Sequence, residues 1–187
     1  MAFVLLSEGG AEAVTMGTVA ERAEVTRTLV YKHFANRNDI LASLYRREAA
    51  RLDKAIRRRV MASPPGFESR LRAFIHAAME SIETHGPVFV PLQAFGSSET
   101  LRAEQRQWDR RTVNYYGELA AEEFGLFRPE AEAAVAVLLS GVHTLLAQAR
   151  RRPTIRRRQH LEDMYVEMVM SALTGLADRN RRSAGSQ

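Results

Sequence analysis

The sequence predicts an all-α protein in two parts, a three-helix N-terminal domain over residues 1–46 and a larger helical domain over 47–187. Three observations predict it. Apolar residues recur at spacings of three and four along most of the chain, the period of a helix face and not of a strand. The punctuation is helical, with Thr15, Thr26 and Asn36 ahead of periodic runs and Gly10 and Gly125 behind them. The short apolar run VFVPLQAF at 88–95 contains Pro91, which argues against a central strand and for a short, irregular helix.

Residues 1–8, MAFVLLSE, read as the end of a helix that a left-handed glycine at 9 or 10 can close. Thr15 can N-cap a helix with Val19, Ala20 and Ala23 on one face and Glu21 and Arg22 outside. Only Glu24 and Val25 separate it from Thr26, whose hydroxyl can cap a second short helix beginning at Arg27. That helix puts Val30 and Phe34 on one side and Arg27, Thr28, Tyr31 and Lys32 on the other. Asn36 can cap the next, with Asp39 three residues on, placed to reach back to the cap amide and favoured by the helix dipole.

Leu41, Leu44, Tyr45, Leu52 and Ile56 carry this fourth helix from about Arg37 to Val60. Ser63-Pro64-Pro65-Gly66 breaks the chain before a helix over roughly Phe67 to Thr84, which His85-Gly86-Pro87 should end. A long helix follows from Ser98 to Phe124, stopped by Gly125, and Pro129 sits near the first turn of the next, Glu130 to Arg150. The last runs from about Ile155 to Arg179, and DRNRRSAGSQ reads as a frayed tail. The 130–150 helix is apolar almost all round and the last has a broad apolar stripe. More apolar surface than one subunit would cover points to a four-helix bundle shared with a second copy.

Composition narrows the function classes. There are no cysteines, which excludes disulfides, thiolate zinc sites and a cysteine nucleophile and fits a reducing cytoplasm. Val135 to Ala147, the longest apolar stretch, is too short and too interrupted to cross a membrane. Met1 is followed by AFVLLSEGG with no basic leader segment, so a cytoplasmic protein is expected. None of the five histidines has a glutamate three residues before it, and no phosphate-cradling or nucleophile-elbow pattern occurs, so no enzyme, metal or cofactor is expected. Residues 1–60 hold 11 of the 27 Lys and Arg and 7 of the 22 Asp and Glu, a surplus of 4, which leaves a surplus of 1 for the remainder. The basic excess sits with the two short helices, where a phosphate-binding surface needs it.

Two short helices joined by a tight turn, the second polar outside, form the helix-turn-helix that lays its second member in the DNA major groove. The run VAERAEVTRTLVYKHFANRNDIL, Val19 to Leu41, resembles the DNA-binding signature of the TetR family of bacterial transcriptional regulators. The resemblance implies a homodimer whose N-terminal helices bind a double-stranded operator and whose C-terminal domain binds a small molecule that lowers DNA affinity. It also shows departures. The first helix is about half the family's length, through either an upstream start or a lost arm. Position 24, usually glycine, is Glu24, and Gly17 cannot make a side-chain contact that many relatives use.

Arginine can bond both acceptors of a guanine edge, so Arg27 is the leading candidate for base readout, followed by Thr28 and Leu29 against a thymine methyl. Lys32 reaches a base or a phosphate. By resemblance Tyr31, His33 and Arg37 would hold phosphates, with Thr26 aided by the helix N-terminus. For Arg27, Lys32 and Arg37 the competing reading is a solvated charge, and for Tyr31 a cover over the core. Val25, Val30, Phe34 and Leu41 are assigned to the core. For the effector, an apolar wall from Phe74, Met79, Phe89, Trp108 and Tyr115 with polar groups at His76, Gln93, Asn114 and His143 is expected, against the plainer reading that most of these are ordinary core.

The function expected is a DNA-binding regulator, a repressor released by a small hydrophobic effector. The alternative is a ligand-binding dimer of the same fold with weak or lost DNA binding, in keeping with the short first helix and Glu24.

Overall fold

Hydroxyl caps and glycine stops cut the first part of the chain into short helices, while long apolar periods carry the rest. The computed structural model describes residues 1–95, 99–151 and 154–184. Its elements are α1 (Ala2–Gly9), a single 3-10 turn (Ala11–Ala13), α2 (Met16–Arg22), α3 (Arg27–His33), α4 (Arg37–Ala62), α5 (Phe67–Phe95), α6 (Glu99–Phe124), α7 (Arg128–Arg151) and α8 (Ile155–Ala184). No strand occurs among the described residues. Packing divides the chain into two units, Met1–Lys54 with Ser81–Gln105 and Ala55–Glu80 with Arg106–Gln187.

In the first unit Leu6 of α1, Val14, Val19 and Ala20 of α2, Val30 of α3 and Ile40, Leu41, Leu44 and Tyr45 of α4 form one buried core, with Phe34 packed against it. Burying an aliphatic side chain of this size stabilises by about 1.5–3 kcal/mol, so a few such residues hold three short helices that would not persist alone. The caps fix where those helices start. Thr15 Oγ1 accepts from Thr18 N at 3.1 Å, and Thr18 Oγ1 accepts from Thr15 N at 2.9 Å. Asn36 Oδ1 accepts from the Asp39 amide at 3.1 Å as expected. Asp39 reaches one residue further back than expected, to the amide of Ala35 at 2.9 Å. Gly10, at φ 69, closes α1.

The second unit is built on aromatic and aliphatic residues of α5 to α8. Phe67 and Phe74 each meet Tyr116 edge to face with centroids 5.7 Å apart, and Phe74 stacks on Trp108 at 6.2 Å. The Tyr116 hydroxyl donates to Arg70 O at 2.9 Å, which satisfies the one polar atom of a deeply buried ring. Tyr165 of α8 lies against Gly141 of α7 and donates to the carbonyl of Leu138, joining the two helices. Gly125 has φ 65 and ends α6 as the sequence indicates.

Two helix ends differ from expectation. His85-Gly86-Pro87 does not end α5, which runs on to Phe95 and takes in residues 88–95. Each proline withholds one amide from a helix of 29 residues, and four positions apart the two losses fall on one side, so the helix is weakened along a line and not cut across. The segment read as a frayed tail is helical to Ala184. Asn180 Nδ2 donates to Glu130 Oε2 at 2.6 Å and Arg181 pairs with Asp178 at 3.1 Å, while the terminal arginines complement the negative end of the helix.

Candidate nucleic-acid interface

The turn between α2 and α3 is set by its hydrogen bonds. Val25 N donates to Ala20 O at 3.0 Å and Glu24 N to Glu21 O at 3.1 Å, the paired bonds of a Schellman C-cap. That motif needs a left-handed residue at position 24, and Glu24 supplies it at φ 55, the one non-glycine with positive φ among the described residues. Thr26 then begins α3 at once, its Oγ1 accepting from Leu29 N at 3.3 Å. Val25, assigned to the core from sequence, is 38% exposed. It sits at the corner between a closing and an opening helix, where neither covers it.

α3 stands on this core by Val30 and turns the rest outward. Thr26, Arg27, Thr28, Lys32 and His33 are exposed, as are Leu29 at 42% and Tyr31 at 57%. Tyr31 therefore does not cover the core. Arg27 and Lys32 form no hydrogen bond or ion pair among the described residues. Seven of the eight residues singled out for DNA thus share a helix or its cap and are open to a ligand.

Arg37 is the exception. Its Nη2 donates to Ala11 O at 2.7 Å and its Nε to Val14 O at 3.0 Å, and it pairs with Glu12 at 3.0 Å. The guanidinium satisfies carbonyls of the segment between α1 and α2, a structural task that the signature gives no hint of. Arg22 is likewise engaged, with Glu8 at 2.6 Å.

Of the residues singled out for an effector, Phe74 and Met79 are buried and Trp108 and Tyr115 half-buried in the second unit. Tyr115 packs edge to face on Tyr116 at 5.1 Å and accepts from Arg70 Nη1 at 2.9 Å. His76 Nδ1 lies 3.2 Å from Oε2 of the buried Glu162, a carboxylate that sequence reasoning missed. Asn114 is exposed and does not join this cluster. Phe89 and Gln93 fall on α5 and His143 on α7, with their side chains outside what the structure describes.

A capped pair of short helices, the second presenting an open cationic and aromatic face, defines a helix-turn-helix protein of the DNA-binding kind. Residues 1–44 match the family model described as bacterial regulatory proteins, tetR family. The chain is 28% identical over 142 residues to the HTH-type transcriptional regulator BetI of Paraburkholderia xenovorans (strain LB400), covering 75% of this chain and 71% of that one. It is 27% identical over 171 residues to BetI of Burkholderia mallei (strain NCTC 10229), covering 89% and 88%. Among solved structures, a putative transcriptional regulator from Pseudomonas aeruginosa PAO1 superposes with a TM-score of 0.78 at 20% identity over 95% of this chain and 89% of that one, a likeness of fold. The chain is thus similar to the TetR family of bacterial transcriptional regulators, through the family model over its first 44 residues and through regulators 27–28% identical along most of its length.

No helix among the described residues is long and apolar enough to cross a membrane.

Proposed function

We propose that the protein is a homodimeric repressor whose two α3 helices enter successive major grooves of an operator and which a small apolar or amphipathic effector releases. The observation that carries it is the outer face of α3, with Arg27, Tyr31 and Lys32 open to solvent on a helix anchored by Val30. Arg27 reads a base edge, Thr28 and Leu29 a neighbouring pair, and Tyr31, Lys32, His33 and the Thr26 cap hold phosphates. The two helices must then stand about 34 Å apart, one DNA turn, or a multiple of it.

An outward apolar face supports the second copy. On α7 Val137 is 72% exposed, and on α8 Met168 is 59% and Met164 40% exposed, with Ala133 and Ala172 also bare. Such a stripe on two adjacent helices is what a four-helix interface buries. The aromatic cluster of Phe74, Trp108, Tyr115 and Tyr116 supports an apolar effector, which acts only through its preference for the state that does not fit DNA.

Titration of the protein against its own upstream DNA and against random DNA at fixed salt tests the reading. Arg27→Ala lowers the preference for the specific site by about 1–3 kcal/mol, and Tyr31→Phe weakens both complexes alike. Equal losses on both DNAs for Arg27→Ala would remove the base-reading role. Absence of any discrete wild-type complex would favour the second reading, a ligand-binding dimer with little DNA affinity, for which Glu24 and the diverted Arg37 speak.

A further inference from the structure

α2 and α3 meet where one of them has no side chain. A Cβ built on Gly17 would stand 3.1 Å from Arg27 Nη2, 3.4 Å from Cζ and 3.5 Å from Nε. The guanidinium of the foremost base-reading residue therefore occupies the space in which a side chain at position 17 would begin. Backbone conformation does not explain the glycine. Gly17 is not among the positive-φ glycines of the described residues, which are Gly10, Gly66 and Gly125, and inside a helix glycine is less favourable than alanine. Nor does Arg27 have an ion pair or hydrogen bond among the described residues to hold it elsewhere. On the protein side the guanidinium lies against the bare backbone of α2.

We propose that Gly17 is a specificity-determining position, a positioning residue that acts through Arg27. Its missing side chain lets the guanidinium lie along α2, and this fixes the arc through which the arginine reaches the groove. The inference rests on the DNA-binding reading above. Bidentate contact to a guanine requires two donors aligned at once, so a displacement of a few tenths of an ångström is felt in base choice before it is felt in overall affinity. The same displacement is cheap for the fold, because the atoms in the way are the far end of a flexible side chain.

The test uses the full chain as wild type, Gly17→Ala, Arg27→Ala and the double variant. Base preference is read by selection of bound fragments from a randomised pool, and folding by thermal melting. Gly17→Ala is expected to melt no lower than wild type, yet to lose about tenfold in preference at the base position that Arg27→Ala also relaxes. In the Arg27→Ala background the same change should do nothing more. A Gly17→Ala profile within twofold of wild type overturns the proposal. So does an equal effect with and without Arg27, which would mean that position 17 meets DNA directly. A wild type that selects no sequence at all fails the DNA-binding reading first, and this inference with it.

Discussion

Replacing Glu24 with glycine should make the N-terminal unit more stable. An L-residue in the left-handed region costs about 1–2 kcal/mol, and Glu24 is held there at φ 55 by two hydrogen bonds that the chain cannot make otherwise. Glycine removes that cost but has more freedom to lose on folding, about 0.4–1 kcal/mol. The net gain is about 0.5–1 kcal/mol, or roughly 1–4 °C in the melting of a chain of this size. Glu24→Gln separates this from charge, since it keeps the strain and drops the carboxylate. Thermal melting, with hydrogen exchange at the Val25 amide as the local probe, should place Glu24→Gly above Glu24→Gln. DNA binding at low salt should tighten equally in both, because both lose one negative charge near phosphates. If the two variants melt together, the backbone argument is wrong.

Arg37→Ala should destabilise the N-terminal unit by about 2 kcal/mol, the scale of charge-assisted bonds to two carbonyls discounted for partial exposure. Glu12→Ala, at a side chain 81% exposed, should change stability little, and melting curves compare the two. Met168→Glu should leave the monomer folded while sedimentation shows the dimer dissociating and the discrete DNA complex disappearing; a dimer that persists would place the interface elsewhere. Burial raises the Tyr116 phenol well above its usual range and pushes Tyr165 up to about 12. Both are protonated in the folded state where the unfolded chain would ionise. Their stability contribution is therefore complete below about pH 10 and lost as pH rises beyond it. Urea midpoints should fall from pH 10 upward, and less steeply in Tyr165→Phe.

What was legible in the sequence was local chemistry. Thr15, Thr26 and Asn36 cap because a short side chain next to an apolar run has few other tasks, and Val30 with the open residues around it follows from helical spacing alone. The contest between a proline and the helix around it was not legible, since whether Pro87 ends α5 depends on how the rest of a long helix is held. Nor was the work of Arg37. Its carbonyl partners lie 23 and 26 residues earlier in the chain, and a signature read along the chain records the arginine without its partner. Gly17 marked a missing contact in the sequence, and only the approach of Arg27 shows what fills the gap. For the effector residues the limit is one of kind. Phe74 and Met79 show the period of a buried face, and a packed core and a pocket wall share that period.

The fate of the cations separates composition from function most clearly. A surplus of 4 positive charges in residues 1–60 suggests about eight phosphates neutralised by a dimer and a slope of log affinity on log salt near −7, at about −0.9 for each. Several of the eleven cations are paired with acids that the surplus already counts against them. Arg22 pairs with Glu8, Arg37 with Glu12 and two carbonyls, and Arg47 and Arg51 both lie 3.2 Å from the buried Glu48. On α3 only Arg27 and Lys32 carry a full charge unpaired among the described residues. Two per protomer give a slope near −4. A slope near −7 would mean that cations beyond α3, those of α4 among them, also reach phosphates. A slope near −4 would mean that the face is ready before DNA arrives and that α3 alone carries the electrostatics.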